Sequence, residues 1–153
     1  MGVVALITWI ITASAGLFLL AIWLIEYDRE YQTASATRLP VPVIASHVLL
    51  AVTGLVIWAV YLVAENDRLA WTAVVILLVV ATLGLVMAVR WIGVYRAFTV
   101  ARARRPAPAD APGSRPIAPP ERNFPVPVVI GHGIFAVLTL LLVLLTALRS
   151  GIG

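Results

Sequence analysis

Two copies of one short motif organise this chain, LPVPVIASH at residues 39–47 and FPVPVVIGH at residues 124–132. Each copy contains Pro-Val-Pro-Val, ends in a histidine and continues into a long apolar run. Proline is well tolerated in the first turn of a helix, because the N–H that it lacks has no intrahelical partner there. The motif therefore predicts the start of an apolar helix, with a histidine nearly two turns inside it.

The similarity extends to the apolar runs that precede each motif. Gly16-Leu17 with Trp23 in the first run corresponds to Gly84-Leu85 with Trp91 in the third, and each Trp follows its Gly by seven residues. We interpret the chain as two tandem helix hairpins. Because each hairpin has an even number of spans, the copies share one orientation, and a pseudo-twofold axis along the membrane normal relates them.

The composition indicates a membrane protein. Of the 153 residues, 62% are apolar and 12% are charged, whereas a soluble domain is about half apolar and about one quarter charged. Four runs are long enough to cross a hydrocarbon core of about 30 Å; they cover about residues 2–25, 41–64, 69–92 and 126–148. We predict a single all-α integral membrane domain, a four-helix up-down bundle, with the lipid bilayer as its surroundings.

The connections predict the orientation. Residues 65–68 allow only a tight turn, and residues 101–123 form a linker with six prolines and five arginines. One side of the bundle carries eight arginines and the other only Arg68 and Arg149, so the positive-inside rule places the linker in the cytoplasm and both termini outside. The linker has two interpretations, a solvated segment or a strap that docks on anionic headgroups or an acidic partner.

Residue usage limits the chemistry. The chain has no Cys, which excludes disulfides, thiolate metal sites, iron–sulfur clusters and covalently attached haem. All eleven basic residues are Arg, which suggests a GC-rich bacterial genome and hence a bacterial cytoplasmic membrane. No catalytic triad, phosphate-binding loop or carboxylate pair is apparent, and nothing predicts a nucleic-acid partner.

His47 and His132 are the only histidines, and the repeat places them at the same depth. If the second and fourth runs lie on a diagonal of the bundle, a metal between the two imidazoles lies on the pseudo-twofold axis. One interpretation is a single non-covalent haem b with both histidines as iron ligands. The others are hydrogen bonds between helices without a cofactor, a quinone site, and a Zn or Cu site. The pair could form within one chain or between two chains of a homo-oligomer.

Small residues accompany the histidines. At i+4 and i+7 they give each imidazole a flat neighbourhood for a macrocycle, and those residues are Ala51, Gly54, Ala136 and Thr139. Gly16 and Gly84 fall at a comparable depth and would relieve the porphyrin edge, or else serve tight helix packing. Arg90 and Arg96 are candidate partners for haem propionates, with snorkelling to headgroups as the alternative. Trp23, Trp91 and Tyr95 are expected in an interfacial aromatic belt.

These residues resemble a known architecture. Four antiparallel membrane helices, with one His on each of two helices inside a repeated PVPVxxxH motif, look like the small b-type cytochromes and the haem-bearing membrane anchors of succinate dehydrogenase and related oxidoreductases. The resemblance implies an electron-carrying haem that exchanges electrons with a quinone or an attached redox subunit. We expect an electron carrier or accessory subunit of a membrane redox complex more than a stand-alone enzyme. A small four-helix transporter and a non-catalytic structural subunit are the alternatives.

Overall fold

The computed structural model describes residues 1–26, 37, 39–104 and 119–150 of the chain. This part is all-helical. A short 3-10 helix, η1, covers Pro120–Asn123, and the four long helices are α1 Gly2–Glu26, α2 Val41–Ala64, α3 Asp67–Arg104 and α4 Val126–Ser150. Each long helix is long and apolar enough to span a membrane. The predicted four-helix fold is therefore confirmed, and it indicates a multi-pass membrane protein.

The helices form a ring of antiparallel neighbours. α2 packs most extensively on α3, and α1 on α4, whereas the contacts of α1 with α2 and of α3 with α4 are smaller. Among the described residues, the backbone of α1 does not come close to that of α3, nor the backbone of α2 to that of α4. The second and fourth spans therefore lie on a diagonal, the arrangement that the haem interpretation requires.

The two motif copies start their helices in the same way. α2 begins directly after Pro40, whose carbonyl accepts a hydrogen bond of 2.9 Å from the N–H of Val43. α4 begins directly after Pro125, whose carbonyl accepts one of 3.0 Å from Val128. Pro40 itself has extended backbone, with ψ 124°. The second proline of each motif, Pro42 or Pro127, lies in the first turn of its helix, where the missing N–H has no intrahelical partner.

The turn between α2 and α3 is as tight as predicted. Glu65 adopts a left-handed conformation with φ 50°, and its N–H donates to the Tyr61 carbonyl at 2.9 Å. The side-chain oxygen of Asn66 then accepts a bond of 3.0 Å from the N–H of Arg68. This side-chain cap begins α3 immediately after α2 ends.

The segment predicted as linker is partly structured. α3 continues to Arg104, because no proline interrupts it before Pro106. η1 packs on α1 and α3, and it buries Glu121, whose carboxylate accepts a hydrogen bond of 3.0 Å from the Thr37 hydroxyl. The docking strap stays a prediction, because the side chains of its arginines at 102, 104, 105 and 115 lie outside the described part.

Most of the buried residues fall into two groups at opposite ends of the bundle. The main core, at the end where α2 turns into α3, consists of Ala5, Trp9, Trp58, Ala70, Ala73, Val74, Leu77, Val143 and Ala147. The other group surrounds η1 and comprises Trp23, Leu39, Trp91, Val94, Pro120 and Glu121. Between them lies a stretch of all four helices in which no residue is buried, residues 13–22, 41–53, 81–90 and 126–138. We call this stretch the histidine layer, because it contains both histidines.

Gly54 offers a test of the main core. A Cβ at this position would lie 3.0 Å from Ile76 and from two ring atoms of Trp9, whereas a Cβ at Gly93 meets nothing within 4 Å. We expect Gly54→Leu to lower the free energy of unfolding by about 1–3 kcal/mol through overpacking. Gly93→Leu, the control, should be neutral or stabilising, because leucine favours the helix. Thermal unfolding in detergent would measure both, and equal effects would contradict this account of the core.

Candidate functional site at the histidine pair

The structure brings His47 and His132 together within one chain. Their ring centroids are 6.3 Å apart, and their planes are inclined by 56°. Since the backbones of α2 and α4 are not close to each other, the two side chains meet across the diagonal of the bundle. A second chain is therefore not needed to form the pair.

Each imidazole is fixed by a carbonyl of a neighbouring helix. His47 Nδ1 lies 3.0 Å from the Val80 oxygen on α3, and His132 Nδ1 lies 3.0 Å from the Thr12 oxygen on α1. A carbonyl oxygen only accepts, so Nδ1 is the donor in both bonds. In a neutral imidazole this leaves the lone pair on Nε2, the arrangement found in metal-ligating histidines.

A glycine makes each of these close approaches possible. A Cβ on Gly84 would lie 3.2 Å from Cε1 of His47, and a Cβ on Gly16 would lie 3.0 Å from Cε1 of His132. Each glycine comes one turn after the accepting carbonyl, so the carbonyl and the glycine form one face. The glycines thus make room for the imidazoles themselves, and their predicted contact with a porphyrin edge stays a prediction.

The two half-sites are built from matching parts. His47 of the first hairpin uses Val80 and Gly84 of the second, and His132 of the second hairpin uses Thr12 and Gly16 of the first. The sequence comparison paired the glycines and the histidines, but it missed the roles of Val80 and Thr12. Both act through the backbone, so their side chains carry no signal of it.

The separation of the rings is compatible with one metal ion between them. If the two Nε2 atoms bound an ion from opposite sides at about 2.0–2.1 Å, with each ring centre about 1.1 Å behind its nitrogen, the two centroids would lie roughly 6.3 Å apart. The described residues contain no group of three or more His, Cys, Asp or Glu side chains that could bind a metal. The pair therefore supplies two nitrogen ligands, which is too few for a tetrahedral ion and enough for the axial positions of a haem.

The other predicted small residues divide between two layers. Ala51 and Ala136 are partly exposed and belong to the histidine layer. Gly54 and Thr139 are buried at its boundary with the main core, where Gly54 packs on Trp9. Packing in the core already accounts for Gly54. The predicted contacts of all four residues with a macrocycle stay predictions.

Thr139 connects the two layers by hydrogen bonds. Its hydroxyl donates to the Phe135 carbonyl at 2.7 Å and lies 3.3 Å from the hydroxyl of Thr12. Because the carbonyl of Thr12 holds His132, Thr139 helps to fix the helix turn that positions this imidazole. This role differs from the predicted contact with a flat ligand.

The tryptophans at the η1 end point inward. Trp23 and Trp91 are 4% and 8% exposed, whereas Tyr95 is exposed and stacks on Trp91 with centroids 5.5 Å apart. The expectation of an interfacial belt is therefore wrong for both tryptophans, because their side chains are buried inside the bundle at the η1 end of the histidine layer.

Arg90 and Arg96 are exposed, and their predicted role toward propionates stays a prediction.

Substitution of the glycines tests the geometry of the pair. Gly84→Leu should push His47 off the Val80 carbonyl and lower the free energy of unfolding by about 1–3 kcal/mol. Gly133→Leu is the control, because a Cβ there meets nothing within 4 Å although it adjoins His132. Nitrogen NMR of histidine-labelled protein would show two Nδ1–H tautomers in the parent and in the control. Loss of the His47 signal alone is expected in Gly84→Leu, and an unchanged spectrum would refute the contact.

Comparison with known proteins found no matching family model, no similar curated protein and no similar solved structure. The chemistry of the site is accordingly argued from its own residues.

Proposed function

We propose that the chain is a multi-pass membrane protein of b-type cytochrome character, which binds one haem non-covalently between His47 and His132. It would act as an electron carrier or as an accessory subunit of a membrane redox complex. The observation that carries the proposal is the histidine pair, whose Nδ1 atoms donate to helix carbonyls and whose rings are 6.3 Å apart. Haem would supply a one-electron iron couple, and the chain would supply its axial ligands and its surroundings.

The packing of the bundle supports a ligand at this level. The histidine layer has no buried residue in any of its four segments, although buried residues lie on both sides of it. Its small residues include Ala51 and Ala136, one turn from each histidine, and Gly16 and Gly84, against which the imidazoles pack. A flat apolar ring bound at this level would bury surface that is left partly exposed there.

Matched contacts support two tandem hairpins with a pseudo-twofold axis. The pairs His47–Gly84 and His132–Gly16 exchange when the hairpins are exchanged. The four segments of the histidine layer correspond in the same way, residues 13–22 with 81–90 and residues 41–53 with 126–138. An axis through the centre of the pair would make the two ligands equivalent, and a bis-histidine iron has that symmetry.

The alternatives explain less of the site. Hydrogen bonds between helices without a cofactor account for both Nδ1 atoms but not for the absence of buried residues from the histidine layer. A proton-coupled transporter generally needs a carboxylate inside the membrane, whereas the described acidic residues lie at helix ends or in η1: Glu26, Glu65, Asp67 and Glu121. A quinone could use the imidazoles as hydrogen-bond partners, and the spectrum described next separates it from haem.

Haem binding is tested by absorption spectroscopy of protein produced with an adequate haem supply. We expect a Soret band and, after reduction, the α and β bands of a low-spin centre that solvent can extract. His47→Ala and His132→Ala should each lose the low-spin spectrum, whereas Ser46→Ala, at an exposed position beside His47, should keep it.

Ala51→Phe and Ala136→Phe should lower haem occupancy by filling the histidine layer. Arg90→Gln should weaken binding without loss of ligation if Arg90 pairs with a propionate.

A colourless parent after haem supplementation would overturn the proposal. Unchanged stability of both histidine variants would then leave a transporter or a structural subunit, whereas a loss of stability would indicate hydrogen bonding without a cofactor.

The orientation is tested with inserted reporters. The arginine distribution places the linker in the cytoplasm and the termini outside. A reporter that is active only in the cytoplasm should therefore work when inserted near residue 109 and fail when fused after residue 153. The reverse result would move the histidine pair from the cytoplasmic leaflet to the outer leaflet and leave the haem proposal intact.

A further inference from the structure

A buried hydrogen-bond donor stands at the η1 end of the histidine layer. Trp91 is 8% exposed, and its Nε1 has no hydrogen-bond partner among the described residues. An indole N–H is a donor only, and a buried donor without an acceptor costs about 1–3 kcal/mol. Trp58, in the main core, shows the ordinary solution, because its Nε1 donates to the Gly2 carbonyl at 3.2 Å.

The position of Trp91 relates it to the histidine pair. It follows Gly84 by seven residues, which is two helical turns, about 10 Å along α3 and on the same face of the helix. Gly84 contacts His47, so Trp91 lies on the face of α3 that holds the imidazole, displaced toward η1. Tyr95 stacks on its ring, which helps to fix the indole.

The neighbouring carboxylate does not satisfy this donor. Glu121 is fully buried in η1 and accepts a hydrogen bond from the Thr37 hydroxyl, but it is not a partner of Trp91 Nε1. The other buried residues at this end, Trp23, Leu39, Val94 and Pro120, offer no side-chain acceptor, because an indole only donates and the rest are apolar. No buried side chain in the described part of this end therefore supplies the acceptor, and a ligand of the histidine layer could supply it.

We infer that Trp91 donates from Nε1 to a carboxylate at the edge of the bound macrocycle and so orients its acidic edge toward η1. This inference rests on the proposed haem. A haem whose iron lies between the histidines extends its propionates beyond the ring edge. Counted from the iron, the half-width of the ring, an extended propionate and one hydrogen bond of about 2.9 Å together cover a distance comparable to two helical turns, about 10 Å. A hydrogen bond from the indole N–H to a charged carboxylate is also stronger than a hydrogen bond between two neutral groups.

The test compares haem with its dimethyl ester, in which both carboxylates are esterified. Optical titration of the cofactor-free protein gives the dissociation constant of each. We expect Trp91→Phe to weaken haem binding by about tenfold or more, the effect of one hydrogen bond to a charged group. The affinity for the dimethyl ester should fall much less, because an ester carbonyl is a neutral and weaker acceptor. Trp58→Phe is the matched control, because it removes a buried indole N–H whose partner is within the protein, and it should affect both ligands alike.

The outcomes separate the inference from the proposed function. If Trp91→Phe weakens both ligands equally or neither, Trp91 serves packing only and the inference fails while the haem proposal stands. If the parent binds neither ligand, the proposed function fails and the inference falls with it. Should Trp91→Phe misfold, replacement of Trp91 by benzothienylalanine keeps the ring shape, removes the N–H, and should show the same difference between haem and ester.

Discussion

The hydrogen bond from an imidazole Nδ1 to a carbonyl of the neighbouring helix organises this bundle. An imidazole among apolar helices must have a partner, because an unsatisfied polar group in such surroundings is costly. An imidazole reaches such a carbonyl only where no side chain of the neighbouring helix is in the way. Gly16 and Gly84 provide that room, because they have no side chain. One bond joins α2 to α3 and the other joins α4 to α1. These are the two closely packed helix pairs, and the histidines themselves meet across a diagonal.

This arrangement explains why the bundle is not packed evenly. Large side chains such as Trp9 and Trp58 close the main core, and Trp23 and Trp91 close the η1 end. Between them no residue of the histidine layer is buried, and the glycines there are covered by the imidazoles themselves. The small residues that let the imidazoles reach their carbonyls thus also leave this level without large buried side chains, and in the proposed complex a bound ring would add contacts there.

The sequence predicted the parts of this design that depend on side-chain type and spacing. The Pro-Val-Pro-Val motif predicted where α2 and α4 begin, and the repeat predicted that both histidines share one level. It did not reveal the acceptors, because any residue at position 12 or 80 presents the same carbonyl. It placed Trp23 and Trp91 in an interfacial aromatic belt, which is wrong. A tryptophan near the end of a span looks the same in the sequence whether its side chain faces lipid or the interior of the bundle. Only the packing of η1 on α1 and α3 distinguishes the two.

The position of the pair along the bundle bears on how the proposed electron carrier would work. His47 lies six residues from the start of α2, about 9 Å, but seventeen residues from its end, about 26 Å. The longer path passes through the close-packed main core, and the shorter one ends at Trp91 and η1. A cofactor at this level would exchange electrons at the η1 end only. A single pair near one face therefore fits a protein that serves a partner or a quinone at that face better than one that conducts electrons across the whole membrane.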